Sequence, residues 1–164
     1  MIRFVKLPPA ALTALIAGDL PAASSAAGQE LSPFLVAERW LWEIRIAQIA
    51  GDPPSADWIA RAAVAEPEGV VVGHGGFHGP PDARGMVEVA YSVDPAYRRR
   101  GHAKAILTGL LQRAEQDPRV RVVRASIAPD NAGSLATLAG FGFVQVGEQW
   151  DEEDGLEFVF EREV

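Results

Sequence analysis

The feature that constrains this chain most is a strand that leads directly into an arginine-rich loop and then a helix. The alternating segment Met86–Val93 is followed by Arg98–Arg100 and by a helical pattern over Gly101–Glu115. That helix lacks a Ser, Thr, Asp or Asn cap, and its arginines oppose the helix dipole. Both costs are offset if an anion accepts the free N–H groups, which Gly101 allows it to approach. The segment therefore predicts a diphosphate site.

The remaining patterns predict an α+β fold in one domain over residues 1–164. Alternating apolar residues predict strands over Ile2–Leu7, Ala62–Glu66, Val70–Phe77, Met86–Val93, Val120–Ile127, Phe143–Gln149 and Leu156–Glu161. Helical spacing predicts helices over Pro8–Ile16, from Ser32 through Gln48, briefly near Trp58, over Gly101–Glu115 and over Ser134–Ala139. The small, polar segment Gly18–Gln29 is predicted to be a loop. We expect a mixed sheet of about six to seven strands with about four helices.

Composition narrows the classes of function. The chain has no cysteine, which excludes disulfides, thiolate catalysis and Cys-ligated zinc. Its net charge is −7, yet residues 148–164 hold eight acidic and one basic side chain, whereas residues 84–124 hold nine basic and four acidic ones. A basic centre in an acidic chain favours a compact anion over a long nucleic acid. We therefore expect no nucleic-acid partner.

The location of the protein is predicted from what the chain lacks. No apolar run approaches the ~20 residues that a membrane span requires. The first ten residues alternate and reach Pro8-Pro9 at once, unlike a secretory signal. We expect a cytoplasmic protein with no membrane partner.

Three blocks of residues, in the same order as in a known family, sharpen the diphosphate prediction. Arg98-x-x-Gly101-x-Ala103 matches the pyrophosphate-loop pattern R/Q-x-x-G-x-G/A, and Glu88–Pro95 with Tyr97 is similar to the strand that precedes it. Asn131-x-x-Ser134, followed by Phe141-Gly142-Phe143, is similar to a second block. Together they resemble the GNAT superfamily of acetyl-CoA-dependent N-acetyltransferases, in particular its ribosomal-protein and N-terminal amino-acid branch. The resemblance covers nearly the whole chain.

The resemblance implies a fold and a mode of cofactor binding. Two central parallel strands splay apart, and the pantetheine arm of acetyl-CoA lies in the gap, pairing with the backbone at Val93. Asn131 bonds the same arm, and no metal is involved. The pyrophosphate is held by backbone N–H groups of the loop, with arginine side chains available to the ribose phosphate: Arg98, Arg99, Arg100, Gly101, His102, Ala103 and Lys104.

Acetyl transfer to a primary amine requires a base for the amine, a polarised thioester carbonyl and a proton for the departing thiolate. Glu88 lies on the strand face opposite Val87 and Val89, and the resemblance makes it the candidate base. The alternative is an ordinary exposed strand glutamate. The backbone N–H of Val93 is the candidate group that polarises the carbonyl.

The thiolate acid is the least determined role. Many members of the family place a tyrosine seven residues after the Asn131 position, where this chain has Leu138. Ser134 is the next candidate, although it could instead cap the helix that follows. Tyr91 is a third option, but its face of the strand is apolar and predicts core packing.

Several other polar residues have two interpretations. His74 and His78 are four apart on one strand face, roughly 13 Å from each other, too far to bind one metal. A substrate-side role for His78 stays open. The Trp40–Trp42 region could line an acceptor pocket, although core packing is the alternative for these aromatic residues, and Glu43 is a candidate for contact with a cationic amine. The acidic turn 151–154 could attract a cationic amine, although a solvated turn is its default interpretation.

The sequence thus predicts an enzyme that acetylates a primary amine, on a small molecule or a protein N-terminus, by direct attack in a ternary complex. The alternative is a non-catalytic CoA-binding sensor or regulator with a degenerate active site, which Leu138 motivates. A nucleic-acid module based on the arginines fits poorly, because no aromatic residues are interleaved with them. The sequence does not fix the oligomeric state, so a homodimer is an open alternative.

Overall fold

A seven-stranded mixed sheet organises the chain, which a computed structural model describes from Met1 to Val164. The spatial order of the strands is β1-β2-β3-β4-β5-β7-β6, and only β4 and β5 are parallel neighbours. In chain order the strands are β1 (Ile2–Val5), β2 (Arg61–Ala65), β3 (Val70–Phe77), β4 (Met86–Val93), β5 (Val122–Ile127), β6 (Val144–Asp151) and β7 (Gly155–Glu163). The predicted α+β class and strand number are confirmed.

Six α-helices accompany the sheet, two more than expected. They are α1 (Pro9–Ala17), α2 (Leu20–Ala27), α3 (Pro33–Ala37), α4 (Arg39–Gly51), α5 (His102–Gln116) and α6 (Ala132–Leu138). Short 3-10 turns occupy Pro53–Asp57 and Pro95–Tyr97. None of the helices is both long and apolar enough to cross a bilayer.

The two additional helices come from different errors in the sequence-based prediction. The expected loop over Gly18–Gln29 is wrong, because Asp19 caps α2 by accepting the Ala22 N–H at 3.1 Å, and Gly28 ends it in the left-handed conformation. Its alanines are the strongest helix formers, and Ala23 is fully buried. The single helix expected from Ser32 is divided at Glu38 into α3 and α4.

The two faces of the sheet are covered differently. Helices α5 and α6 pack on one face, where a 16-residue apolar cluster includes Val87 and Val89 of β4. Helices α1 to α4 pack on the other face over a 14-residue cluster that extends no further than β3. On the α4 side, β4, β5 and β7 therefore present polar side chains beside the helices, and this polar surface holds the candidate site.

Candidate active site

The parallel strands β4 and β5 part at Glu88. Their pairing runs from Met86↔Val122 to Glu88↔Arg124 and stops there, although β4 continues to Val93 and β5 to Ile127. Parallel strands otherwise continue a ladder of evenly spaced hydrogen bonds. The implied splay is thus present, and a gap opens directly beyond the Glu88 carboxylate.

The backbone at Val93 faces that gap. The N–H of Asp94, directly after β4, donates to the carbonyl of Val72 in β3 at 2.8 Å. Antiparallel ladders alternate paired and unpaired positions, so the N–H of the preceding residue, Val93, points away from β3 and toward β5. The Val93 carbonyl on the same side accepts Arg98 Nε at 3.3 Å, which ties the arginine loop to the end of the strand.

The loop after β4 presents a row of free donors. None of the backbone N–H groups from Arg99 to Lys104 has an acceptor within the chain. Gly101, with φ +81°, is the residue before α5 and supplies no side-chain cap, and Arg99 is the one non-glycine residue with a positive φ. Adjacent unpaired N–H groups at a helix N-terminus form an anion-binding concavity. The loop fits the diphosphate predicted from its sequence.

The side chains around this loop leave its positive charge unneutralised. Arg98, Arg99 and Arg100 form no ion pair. The Arg100 guanidinium lies 5.5 Å from the centre of the Tyr97 ring, which also meets the His102 ring edge-on at 6.5 Å. Tyr97 therefore holds the Arg100 side chain of this loop through a cation–π contact.

Helix α6 begins beside the gap, and its cap differs from the alternative considered above. Asn131, not Ser134, is the N-cap: Asn131 Oδ1 accepts the Ser134 backbone N–H at 3.1 Å. The Asn131 amide group remains able to donate, and the Ser134 hydroxyl makes no hydrogen bond to the chain. Leu138, at the position of the family's tyrosine, is buried in the core.

Asn131 is thus predicted to have two separable roles. Asn131→Ala should lower the free energy of unfolding by about 1 kcal/mol through the lost cap, and should also weaken CoA binding. Asn131→Asp keeps the accepting oxygen but removes the amide donor, so it should retain stability and still weaken CoA binding. Thermal unfolding and calorimetric titration with CoA measure the two effects. Unchanged CoA affinity in both variants would contradict the contact with the pantetheine arm.

Glu88 pairs with His78 across the β3–β4 ladder. The His78 backbone N–H donates to the Glu88 carbonyl at 2.9 Å, and His78 Nδ1 lies 3.2 Å from Glu88 Oε2. The Glu88 side chain is 17% exposed and that of His78 is 51% exposed. Although half of the His78 side chain is exposed, the protein around it desolvates the ring and lowers the pKa of His78; the Arg45 charge adds to the effect, while Glu88 and Glu157 oppose it. The lowered pKa favours the neutral imidazole.

A row of polar side chains continues from Glu88 across the neighbouring strands β5 and β7. Arg124, opposite Glu88, pairs with Glu161 at 2.6 Å. Farther along, Gln149 Nε2 bridges Ser126 Oγ at 3.1 Å and the Glu157 carboxylate at 3.0 Å. No local sequence pattern marks these residues as part of a site, because their strands become neighbours only in the folded sheet.

The other sequence candidates lie in varied surroundings. His74 is buried and its Nε2 lies 3.3 Å from Glu38 Oε1, so the two histidines have separate carboxylate partners. Trp42 is core, whereas Trp40 is 55% exposed. Tyr91 packs on the α5 face, where burial raises the pKa of its hydroxyl, as the apolar pattern predicted.

The remaining two candidates are a helix residue and a turn. Glu43 is exposed on α4. Within the turn 151–154, Asp151 accepts the backbone N–H groups of Glu153 and Asp154, each at 2.8 Å. Nothing in these contacts connects either of them to Glu88.

Two further observations bound the site. No group of three or more His, Asp or Glu side chains is placed to hold a metal ion. A groove of about 800 Å³ lies at the other end of the sheet, against β6 and β7, and includes neither Glu88 nor the arginine loop. The groove is therefore separate from the gap between the splayed strands.

Comparison with known proteins agrees with this geometry. The family model described as Acetyltransferase (GNAT) family matches residues 24–143. The chain belongs to this family. The matched range includes β4, the arginine loop, α5, β5 and α6, so the GNAT family assignment rests on the elements that form the splay and the free N–H groups.

The individual proteins that this GNAT chain is similar to include bacterial acetyltransferases. The uncharacterized N-acetyltransferase YjdG of Bacillus subtilis is 34% identical over 45% of this chain, a match that spans only 44% of that relative's length. The ribosomal-protein-S5-alanine acetyltransferase of Vibrio fischeri matches 99% of this chain and 91% of its own, with 16% identity and a TM-score of 0.65. A phosphinothricin acetyltransferase of Sinorhizobium meliloti, solved with acetyl-CoA, matches 100% and 88%, with 19% identity and a TM-score of 0.61. At these identities the structures show a shared fold.

Proposed function

We propose that this chain, as a single domain over residues 1–164, transfers an acetyl group from acetyl-CoA to a primary amine. The observation that carries the proposal is the gap between β4 and β5. At one end of the gap lies the Glu88 carboxylate, and at the other the unpaired N–H groups of residues 99–104. A base and an anion cradle thus flank one opening.

Acetyl-CoA is the donor, and its parts match the features along this gap. The diphosphate accepts the N–H groups of Arg99 to Lys104 beside uncompensated arginine charge. The pantetheine arm occupies the gap, where Val93 and the Asn131 amide can hydrogen-bond it. The Val93 N–H is the group that polarises the thioester carbonyl. The acetyl-CoA in the Sinorhizobium structure supports this assignment by analogy of fold.

The reaction is a direct attack in a ternary complex. The amine nitrogen forms a bond to the thioester carbonyl carbon, and the C–S bond to CoA breaks. Glu88 takes the proton that the amine loses, directly or through a water. The Ser134 hydroxyl protonates the departing thiolate and is then restored from solvent. No step requires a metal.

The chemistry of the site and the analogy with two relatives support the proposed acceptor class. A primary amine on a small molecule or a protein N-terminus suits a base at an open polar surface. The Vibrio relative is named for an alanine of a ribosomal protein, and the Sinorhizobium relative for phosphinothricin. Because the relatives are bacterial, we place the enzyme in a bacterial cytoplasm, where acetyl-CoA is available.

Ser134→Ala tests the role of the thiolate acid. The variant should lower kcat by up to about 100-fold, the low end of general acid catalysis, because water can partly replace the hydroxyl, and the CoA affinity should be unchanged. Stability should also be unchanged, because Asn131 provides the cap. Thr137, whose hydroxyl donates to the Gly133 carbonyl on the same helix, gives the matched control Thr137→Ala. A kcat equal to that of the control would leave the thiolate without a protein acid.

Two measurements test the function as a whole. Calorimetric titration should show CoA binding, and its absence at millimolar CoA would remove the proposal. Thiol release from saturating acetyl-CoA should require an added amine. Because the chain has no cysteine, every thiol detected belongs to CoA. Binding without thiol release over a broad amine panel would instead indicate a CoA sensor, the alternative that Leu138 motivates.

A further inference from the structure

Arg45 of α4 is connected to the candidate base by a short chain of hydrogen bonds. Its Nη1 donates to Gln48 Oε1 at 2.8 Å, and Gln48 Nε2 donates to the His78 carbonyl at 2.7 Å. His78 in turn lies 3.2 Å from the Glu88 carboxylate. Helix α4 thereby brings a positive charge to the polar side of the sheet that holds Glu88, the group that would deprotonate the amine.

Arg45 is partly buried, and no acid of the chain neutralises it. No carboxylate oxygen lies within 4.0 Å of its guanidinium, and its Nε is buried without any hydrogen-bond partner. Two of the four other partly buried arginines, Arg124 and Arg162, each pair with a glutamate. Burial lowers the pKa of Arg45, and no neighbouring acid offsets that effect. A partly buried charge without a counterion destabilises the fold.

An unpaired guanidinium on the side of the sheet that holds Glu88 is suited to a bound anion. We propose that Arg45 binds a carboxylate of the acceptor, so that the substrate is a small amine bearing a carboxylate, such as an amino acid. The inference rests on the proposed function and specifies its substrate class. An arginine pairs with a carboxylate through two parallel hydrogen bonds, which fixes orientation as well as affinity.

The arrangement of charges is complementary to such an acceptor. Arg45 would hold the carboxylate while Glu88 receives the amine, and His78 lies between them. Gln48 fixes the guanidinium by accepting from Nη1 and leaves the other terminal nitrogen free to donate. A simple alkylamine would contact Glu88 but would leave Arg45 unpaired.

The test compares matched acceptors that differ only in the carboxylate. The panel consists of free amino acids, the same amino acids as amides, and peptide amides that begin with Asp or Glu. For the wild type, kcat/KM should be roughly 10- to 100-fold higher for the acid than for its amide, the factor expected of a charge-assisted hydrogen-bond pair. Activity confined to the acidic peptides would assign the carboxylate to a side chain and support the inference with that source.

Two variants of α4 locate the effect. Arg45→Gln should bring the acid-to-amide ratio toward one, mainly by raising KM for the acid, and Arg45→Lys should keep part of the preference. Arg39→Gln removes an exposed arginine from the same helix and should leave the ratio unchanged. A wild type without preference, or a preference that persists in Arg45→Gln, would overturn the inference.

Stability separates this role from a structural one. Arg45→Gln should keep or raise the melting temperature, because it removes an uncompensated charge, whereas a structural arginine would lower it. Failure of the inference also differs from failure of the proposed function. If amines are acetylated without regard to their carboxylate, only the inference falls. If CoA binds but no amine releases thiol, the proposed function falls and the inference with it.

Discussion

Replacing Glu88 by Gln is expected to lower kcat/KM for the amine by roughly 100-fold or more, the range typical of a lost general base. Glu88 lies at the last paired position before β4 and β5 part, so its carboxylate borders the gap. Glutamine keeps the size and the contact with His78 Nδ1 but cannot take a proton. The affinity for CoA should not change, because the loop that we propose for the phosphates is at the other end of the gap.

The deficit of Glu88→Gln should grow as the pH falls. At low pH the acceptor amine is protonated, so the reaction depends most on a base. His78 limits this trend at the acidic end. Desolvation lowers the pKa of His78 and the Arg45 charge adds to the effect, while Glu88 and Glu157 oppose it. Below that lowered pKa the imidazolium competes with the amine for the Glu88 carboxylate, so the deficit should become smaller there.

Steady-state kinetics over a range of pH decide the role of Glu88. The matched control is Glu68→Gln, an exposed glutamate in the turn between β2 and β3, which should behave like the wild type. A Glu88→Gln enzyme with the wild-type pH profile and a rate within about twofold would rule out Glu88 as the base. The same carboxylate would then be a partner of His78 alone.

Local signals made the centre of the fold predictable. The alternation of β4, the missing cap and the glycine before α5 are all written in adjacent residues, and the structure has each element where the pattern placed it. The prediction for the α2 segment was wrong because it also used local signals alone. Its Ala and Ser residues were judged by their small size and polarity, whereas burial of Ala23 against the other helices depends on tertiary packing.

The residues on the acceptor side of the site, around His78 and α4, could not be predicted from the sequence. His78 was open to a substrate-side role, but its pairing with Glu88 depends on the register of β3 against β4. Arg45 and Gln48 lie about thirty residues before the strands they face. Their helical pattern marks them only as polar positions on α4. No periodicity reports that a charge on one element lacks a partner on another.

The charge pattern of the sequence takes on a clearer meaning in three dimensions. The acidic end is not a free tail, since Glu161 of β7 accepts both Arg84 and Arg124 from the basic centre. These pairs neutralise the centre near the sheet. The arginines of residues 98–100 remain without acids, so the positive potential concentrates at the loop with the free N–H groups.

Gly101→Ala is expected to weaken CoA binding by about tenfold or more. A tenfold change in Kd corresponds to about 1.4 kcal/mol of strain or lost contact. Gly101 has φ +81°, a conformation that costs an L-residue roughly 1–2 kcal/mol. A Cβ added there would meet no protein atom within 4 Å, so the space beside it is open to the diphosphate. Relief of the strain would turn the loop N–H groups away from a common point.

Gly18→Ala is the control that separates strain from phosphate binding. Gly18 ends α1 with φ +76° and also has no atom near an added Cβ, but it is remote from the loop. Both variants should lower the melting temperature similarly, by roughly 2–4 °C per kcal/mol for a chain of this size. Only Gly101→Ala should raise the Kd for CoA in calorimetry. Equal CoA affinities in the two variants would mean that the phosphates are bound elsewhere, because the strain is common to both.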